Sequence, residues 1–393
     1  MRSFVSERAK KTPLSGIRAI FEKAQAIPDV IRLEVGEPDF DTPEHIKAAA
    51  VRALSKGETH YTSSAGIPEL REEISRKFHV DNALEYDPKT QVVVSSGAVN
   101  SLYLALMAIV DPGDEVLLPD PGWANYEVLV RLAEGIPTRY PLRERSRFNP
   151  DSEELRGKIT PKTKAIIICS PSNPTGAVLE ERRLKELASI VQECDLMVIS
   201  DEVYEKIIYG DASHRSIGSL PDMAKRVVTV NAFSKTYAMT GWRLGYAGGP
   251  SEIVSQMVKL NTGLNSCPSS IAQRAGIEAL RGPQDCVRRM REEYLRRRDF
   301  LLERLRRIPG LTCVVPDGAF YAFPNIQELG LSSFDLTMAL LDRAKVSSVP
   351  GSAFGAFGEG YVRFSYANSI ENIGKAMDRI EAAIHSGLKA TKE

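Results

Sequence analysis

The sequence lacks an excess of charge of either sign. Its 393 residues include 51 Lys plus Arg and 51 Asp plus Glu, so the formal net charge at pH 7 is +0. A balanced chain gives no indication of a nucleic-acid or membrane partner. No apolar run approaches the roughly 18 residues of a membrane span, and the start of the chain lacks the apolar segment of a secretory signal. We therefore expect a cytoplasmic protein that acts on small molecules.

Residues that form disulfides or bind metals are also scarce. The five cysteines and five histidines are scattered, with no CxxC and no HxxxH spacing. This pattern is typical of reduced cysteines in a cytosolic protein and argues against a disulfide framework. Because there is no His/Cys cluster, we predict no metal site. No GxGxxG follows the first strand-like run, which argues against a nicotinamide dehydrogenase.

What the sequence does contain is a series of short apolar runs that alternate with helical patterns. The runs are rich in Val and Ile, as is typical of parallel strands covered on both faces. The alternation predicts an α/β fold. Strands are predicted over residues 91–95, 115–118, 165–169, 196–200 and 227–230. Helices are predicted over residues 43–56, with Thr42 as N-cap, and over 101–110, 180–193 and 285–307.

The last third of the chain has a different pattern, which predicts a smaller α+β unit. Its helix over 285–307 carries many arginines, but interleaved acids favour a solvated face over a nucleic-acid surface. The chain is longer than one hydrophobic core usually supports. We therefore expect a large domain over 45–282 and a small domain built from 1–44 and 283–393.

Chemically active residues follow the predicted strands, where ligands of a parallel α/β sheet collect. Each has a plainer reading. Gly97, Ala98 and Val99 form either an anion site at a helix N-terminus or a tight turn. Asn173 lies in a proline-rich loop that could be an Asx-turn. Asp201 could simply cap the next helix. The other strand-end residues are Trp123, Tyr204, Ser234, Lys235 and Arg243.

Pyridoxal phosphate is the one cofactor that asks for this whole set. A lysine amine can bind its aldehyde, and an arginine with a helix N-terminus can hold its phosphate. An asparagine and a tyrosine can hydrogen-bond its phenolate oxygen, and a tryptophan can stack on its ring. A carboxylate keeps the ring nitrogen protonated, so that the ring accepts electrons from a carbanion.

The motifs resemble those of fold-type I, class I aminotransferases of the aspartate/aromatic aminotransferase family. The resemblance runs through residues 34–40, 61–71, 172–176, 234–243 and 362–365, and its specific parts are the Asn-Pro-Thr-Gly loop and the lysine-plus-arginine block. It implies a mostly parallel seven-stranded sheet covered by helices, plus the smaller α+β domain. It also implies transfer of an amino group from an L-amino acid to a 2-oxo acid, expected to be 2-oxoglutarate, by ping-pong kinetics. The donor is left open between aspartate, aromatic amino acids and a broad range.

The resemblance also assigns roles to single residues. Lys235 would hold the cofactor aldehyde and act as the catalytic base. Arg363 would bind the substrate carboxylate in a bidentate fork. Tyr61 would reach the phosphate in a neighbouring subunit, which implies a homodimer with shared sites. The remaining roles are phosphate binding by Arg243, Ser234, Gly97, Ala98 and Val99, ring-nitrogen pairing by Asp201, phenolate contact by Tyr204 and Asn173, ring stacking by Trp123, and substrate contact by Gly36, Trp123 and Asn173.

The sequence departs from the family pattern at two positions. Ala232 stands where many members carry a serine that binds the phosphate. Val99 stands where some bacterial aspartate-preferring members carry a lysine, so a preference for aspartate does not follow. Other reactions on the same scaffold stay open, namely a carbon–sulfur β-lyase or a cyclopropane-carboxylate synthase. A non-catalytic regulator would need an added DNA-binding module, which we do not expect.

Overall fold

A seven-stranded sheet forms the centre of the structure, a computed structural model that describes residues 4–6, 9–10, 12 and 16–387. Its strand order is β2-β8-β7-β6-β5-β3-β4, and only β8 runs antiparallel to its neighbours. The predicted mostly parallel α/β sheet is therefore confirmed. The strands are β2 Val92–Ser95, β3 Glu115–Asp120, β4 Ile136–Pro141, β5 Thr163–Cys169, β6 Met197–Asp201, β7 Val227–Ala232 and β8 Gly245–Gly248.

Both faces of this sheet are covered, as the continuous apolar runs predict. On β5, Ile166 and Ile168 pack in one apolar cluster with Leu187, while Ala165 and Ile167 pack in another on the opposite face. The helices before the long helix of the last third are α1 Gly16–Gln25, α2 Glu44–Ser55, α3 Pro68–Asn82, α4 Ala98–Ile109, α5 Asn125–Leu132, α6 Ser152–Arg156, α7 Glu181–Glu193, α8 Phe233–Thr236, α9 Ser251–Asn265 and α10 Ser270–Arg281.

Several predicted boundaries are wrong by a few residues. The predicted cap Thr42 does not cap α2, which begins at Glu44; its hydroxyl instead donates to the carbonyl oxygen of Ala238 at 2.6 Å. Helix α4 begins at Ala98 rather than at residue 101, so Gly97 is its N-cap. Strand β6 runs one residue further than predicted and ends on Asp201. For Thr42 the difference comes from a tertiary contact, its hydrogen bond to Ala238, which local propensity does not report.

The last third builds two small sheets and the helices that pack on them. Strands β9 Tyr321–Ala322, β11 Val349–Pro350 and β12 Val362–Ser365 form an antiparallel sheet with β12 in the middle. Strand β10, Val346–Ser347, pairs in parallel with β1, Ile31–Arg32, from the N-terminal part of the chain. The helices are α11 Asp285–Leu305, α12 Ser333–Ala339, continued by a π-helical turn over Leu340–Ala344, and α13 Ile370–His385.

Helix α11 corrects one prediction about charge. Its apolar stripe is buried at Met290, Tyr294 and Leu301, as its spacing predicts. However, the solvated-face interpretation is wrong for Arg297, which is only 6% exposed and pairs with Asp39 at 2.7 Å. A buried guanidinium needs such a partner. The pair ties α11 to the segment that leads into α2.

The described part of the chain has no helix that is both long enough and apolar enough to cross a bilayer. The small domain expected over 1–44 and 283–393 includes residues that lie outside the described part of the chain. They are residues 1–3, 7–8, 11, 13–15 and 388–393.

Candidate active site

A cavity of about 490 Å³ lies beyond the carboxyl ends of β5, β6 and β7, where the small sheets meet the large one. This is the position at which ligands of parallel α/β sheets bind. Tyr61 does not line this cavity, contrary to the other side chains predicted to contact the cofactor or substrate, and it is 89% exposed. Of the residues singled out in the sequence, those that line the cavity are Gly36, Ala98, Val99, Trp123, Asn173, Asp201, Tyr204, Ala232, Ser234, Lys235, Arg243 and Arg363.

Lys235 places its amine inside this cavity. The residue lies on α8, the short helix that follows β7, and its Nζ donates to the carbonyl oxygen of Gly36 at 2.5 Å. Burial lowers the pKa of Lys235 to about 8; the charges of Arg363 and Arg243 add to this lowering, whereas Glu37 opposes it. A part of the amine is therefore neutral near neutral pH, which a base or nucleophile requires.

Asp201 ends β6 on the floor of the cavity and is 4% exposed. Burial raises the pKa of its carboxyl to about 6, against hydrogen bonds from Tyr126 and from the backbone amide of Val203. The Tyr126 hydroxyl donates to Oδ2 at 2.7 Å, and the Tyr126 ring meets that of Trp123 edge-on at 5.3 Å. Sequence reasoning missed Tyr126, because nothing in α5 marks one inward-facing tyrosine as the partner of an acid 75 positions later.

A buried charged cluster lies behind Asp201, on the side away from the cavity. Glu202 accepts from His214 at 2.9 Å, and Asn82 donates to both Glu202 and Glu205. Glu202, Glu205 and His214 have the mutual spacing of a metal-binding group. However, the Lys77 ammonium already pairs with Glu205 and donates to Asn82 at 2.7 Å. Lys77 thus supplies a cation within the cluster itself.

The start of α4 forms a second polar end of the cavity. Gly97 has a φ of +89°, and a Cβ at this position would lie 2.5 Å from Nη2 of Arg243. The guanidinium therefore lies directly over the glycine, at the N-terminus of the helix. Within the described chain the amides of Ala98 and Val99 have no acceptor. Free amides, the helix dipole and an arginine together make an anion site.

Arg363 lies on β12 and reaches the cavity from the opposite side. Its Nη1 donates to Oδ1 of Asn173 at 2.9 Å, and its Nη2 donates to the carbonyl oxygen of Glu34 at 2.5 Å. The guanidinium carbon lies 4.4 Å from the ring centre of Tyr321 and 5.1 Å from that of Phe354. The Nε of Arg363 is buried without a hydrogen-bond partner among the described residues. An unused, buried donor on a fixed guanidinium is suited to a carboxylate ligand.

Tyr321 closes the wall between these groups, and sequence reasoning noted it only as part of a glycine-aromatic stretch. Its hydroxyl pairs with that of Tyr204 at 2.8 Å. A Cβ on Gly36 would lie 2.7 Å from the same hydroxyl. Gly36 is therefore a glycine because the chain passes directly over Tyr321.

Comparison with known proteins decides the family of the chain. The family model described as "Aminotransferase class I and II" matches residues 28–380. This chain belongs to the class I and II aminotransferases. The aspartate aminotransferase of Pyrococcus abyssi is 47% identical over 382 residues, which cover 97% of this chain and 98% of that protein. The aromatic-amino-acid aminotransferase 2 of Thermococcus litoralis is 45% identical, with the same coverage of both chains.

A solved aminotransferase structure agrees with the sequence comparison. The aspartate aminotransferase of Thermus thermophilus with maleate has a TM-score of 0.93 and 41% identity, covering 98% of this chain and 100% of that one. The expected resemblance to aspartate/aromatic aminotransferases is thereby confirmed, together with the fold class. Members of this aminotransferase family are transaminases that depend on pyridoxal phosphate.

Proposed function

We propose that this chain transfers the amino group of an L-amino acid to a 2-oxo acid, with 2-oxoglutarate as an acceptor and pyridoxal phosphate as cofactor. One observation carries the proposal: three complementary groups face a single cavity. They are an amine with a lowered pKa, Lys235, a buried carboxyl with a raised pKa, Asp201, and a guanidinium with an unused buried donor, Arg363.

The anion site at the start of α4 fits the phosphate of this cofactor. The amides of Ala98 and Val99 and the guanidinium of Arg243 are the donors that a phosphate monoester requires. Ser234 lines the same cavity and can add a hydroxyl. Ala232 is buried in the cavity wall and has no hydroxyl to offer, so the other donors carry the phosphate.

The other end of the cavity fits the aromatic ring. Asp201 would hold the ring nitrogen, and this cationic partner would lower the carboxyl pKa from about 6. Trp123 would stack on the ring, and Asn173 and Tyr204 would donate to its phenolate oxygen.

Bound pyridoxal phosphate supplies an aldehyde that carries the amino group and a protonated ring that accepts the electron pair of the α-carbon. Lys235 would hold the aldehyde and, once free of it, would move the proton of the α-carbon. Arg363 would orient the substrate by its carboxylate. Because the amino group stays with the enzyme between two half-reactions, the first product leaves before the second substrate binds, which gives ping-pong kinetics.

We further propose a cytoplasmic homodimer with two domains, 45–282 and 1–44 with 283–393. The exposed Tyr61 would then enter the site of the neighbouring subunit. The amino donor is aspartate, an aromatic amino acid or a broad range, since relatives of similar identity are named for the first two. The relatives do not favour a β-lyase or a cyclopropane-carboxylate synthase.

Borohydride reduction of the purified protein, followed by peptide mass analysis, tests the proposal. A cofactor-derived mass on the peptide that contains Lys235 is expected. In a separate assay, the unreduced protein should form glutamate from 2-oxoglutarate and a panel of amino donors. The proposal fails if position 235 is unmodified in active protein, or if an amino acid alone gives pyruvate and ammonia.

Arg363→Lys tests the substrate role separately. We expect a higher Michaelis constant for every amino acid, because an ammonium cannot reproduce the two parallel donors of a guanidinium. Unchanged Michaelis constants would contradict the role of Arg363 and leave that of Lys235 standing.

A further inference from the structure

Glu34 is a buried carboxylate in the cavity wall that has no role in the proposed transamination. It is 1% exposed. A glutamate is almost never buried to this degree without partners. Its Oε1 accepts from Nε of Arg32 at 2.7 Å and from Nη2 of Arg32 at 2.5 Å, and its Oε2 accepts from the hydroxyl of Ser347.

Both partners belong to the framework that carries Arg363. Arg32 on β1 pairs in register with Ser347 on β10. Leu33 links these two strands to β12. Its backbone amide donates to the carbonyl oxygen of Ser347 at 3.1 Å, and its carbonyl oxygen accepts from the amide of Ser365 at 2.7 Å. The side chain of Glu34 is thus anchored to β1 and β10, which lie next to β12, the strand that carries Arg363.

The backbone of Glu34 makes the contact that matters for Arg363. Its carbonyl oxygen accepts from Nη2 at 2.5 Å, while Asn173 accepts from Nη1. A guanidinium has five N–H donors in one plane, so two fixed acceptors define that plane. One acceptor is the Asn173 side chain, and the other is a carbonyl of an irregular segment between β1 and α2.

We propose that the Glu34 carboxylate is a positioning group for Arg363. By binding Arg32 and Ser347, it holds its own carbonyl oxygen against Nη2 and so directs the remaining donors of Arg363 at the substrate carboxylate. Arg32 also offsets the negative charge of Glu34, which would otherwise repel that carboxylate. The inference rests on the proposed function, in which Arg363 binds the substrate.

Glu34→Ala in the cofactor-loaded enzyme tests the inference. Maleate and 3-phenylpropionate serve as probes, because they carry a carboxylate and no amino group. We expect their dissociation constants, and the Michaelis constants of amino donors, to rise about tenfold, the effect of weakening one charge-assisted hydrogen bond. The turnover number should change much less than the Michaelis constants.

Methoxyamine separates positioning from general damage. It attacks the bound aldehyde without presenting a carboxylate, so its rate with Glu34→Ala should equal that of the wild type. Equal losses with methoxyamine and with the carboxylates would show a merely structural role and overturn the inference. Glu371→Ala is the matched control, since Glu371 is an exposed acid whose one ion pair among the described residues is with Lys375.

Ser347→Ala provides a second variant if Glu34→Ala does not fold. It removes one anchor of the same carboxylate, so a smaller rise of the same dissociation constants is expected. If the wild type transaminates and every folded variant keeps the dissociation constants of the wild type, the positioning role is overturned. A wild type that neither binds the probes nor transaminates would instead overturn the proposed function.

Discussion

Asn173 and Arg363 lie 190 positions apart in the chain and meet in a hydrogen bond of 2.9 Å. Asn173 follows β5 of the large sheet, and Arg363 lies on the middle strand of the small antiparallel sheet. The candidate active site is therefore shared between two sheets, and neither sheet contains it alone. Any change in how the sheets pack would move the arginine relative to Lys235.

Lys235→Ala should abolish the covalent attachment of the cofactor and lower transamination by at least about a hundredfold, because the proposed reaction would lose its general base. Glutamate formation and borohydride trapping measure the two effects. Lys375→Ala makes the same substitution at an exposed lysine of α13 and should leave both unchanged. Wild-type turnover in Lys235→Ala would refute the assignment.

Gly97→Ala should weaken cofactor binding, because the new Cβ would lie 2.5 Å from Nη2 of Arg243 and push the guanidinium from the phosphate site. The affinity of the cofactor-free protein for pyridoxal phosphate measures this effect. Gly57→Ala is the matched control, with φ +73° and no described atom within 4 Å of the added Cβ. Both variants should lose about 1 kcal/mol of stability from backbone strain. Equal cofactor affinities in the two variants would contradict the prediction.

Tyr126→Phe should raise the pKa of Asp201, which is about 6 in the cofactor-free protein and lower with the cofactor bound, because the tyrosine hydrogen bond stabilises the ionised carboxyl. The proposed reaction needs this carboxylate, so the acid limb of the kcat/KM profile should move to higher pH by about one unit. Tyr140→Phe is the control: its hydroxyl donates to Ile167 at 3.0 Å and it does not line the cavity. An acid limb that moves equally in both variants would count against the role of Tyr126.

In the cofactor-free protein, Lys235→Met should increase stability at pH 7. Burial lowers the pKa of Lys235 from 10.5 to about 8, so the folded state binds this proton more weakly than the unfolded state does. The free energy of unfolding that this weaker binding removes is fully lost below pH 8, and the loss fades as the pH rises to 10.5. We expect a gain of about 3 kcal/mol at pH 7 that shrinks by pH 10, measured by urea unfolding. A gain that is independent of pH would show that apolar packing, and not the charge, is responsible; Lys375→Met should show no gain.

The strand-end residues could be predicted because their signal is local. An apolar run followed at once by Asp201, or by Ser234 and Lys235, places chemistry at the carboxyl edge of a parallel sheet. The resemblance to aminotransferases rests on such short blocks, and comparison confirmed it. Arg297 shows the limit of local reading, since one arginine of a charged helix is buried by a contact 258 positions away.

Tyr126, Tyr321 and Glu34 could not be predicted in this way. Tyr126 meets Asp201 across 75 positions, and Tyr204 meets Tyr321 across 117. A tyrosine on an amphipathic helix, or a glutamate after a short strand, has no sequence feature that distinguishes a site partner from an ordinary surface residue. Their partners are chosen by how the elements pack.

The sequence by itself determined the fold class, the family and the order of the strand-end residues, because periodicity and short motifs are properties of neighbouring residues. Only the tertiary structure decided which donors are already used and which remain for a ligand. That distinction depends on distance and burial: Nη1 and Nη2 of Arg363 have partners in Asn173 and Glu34, whereas Nε has none among the described residues. A buried donor without a partner is costly until a ligand accepts from it, and no linear pattern reports that cost.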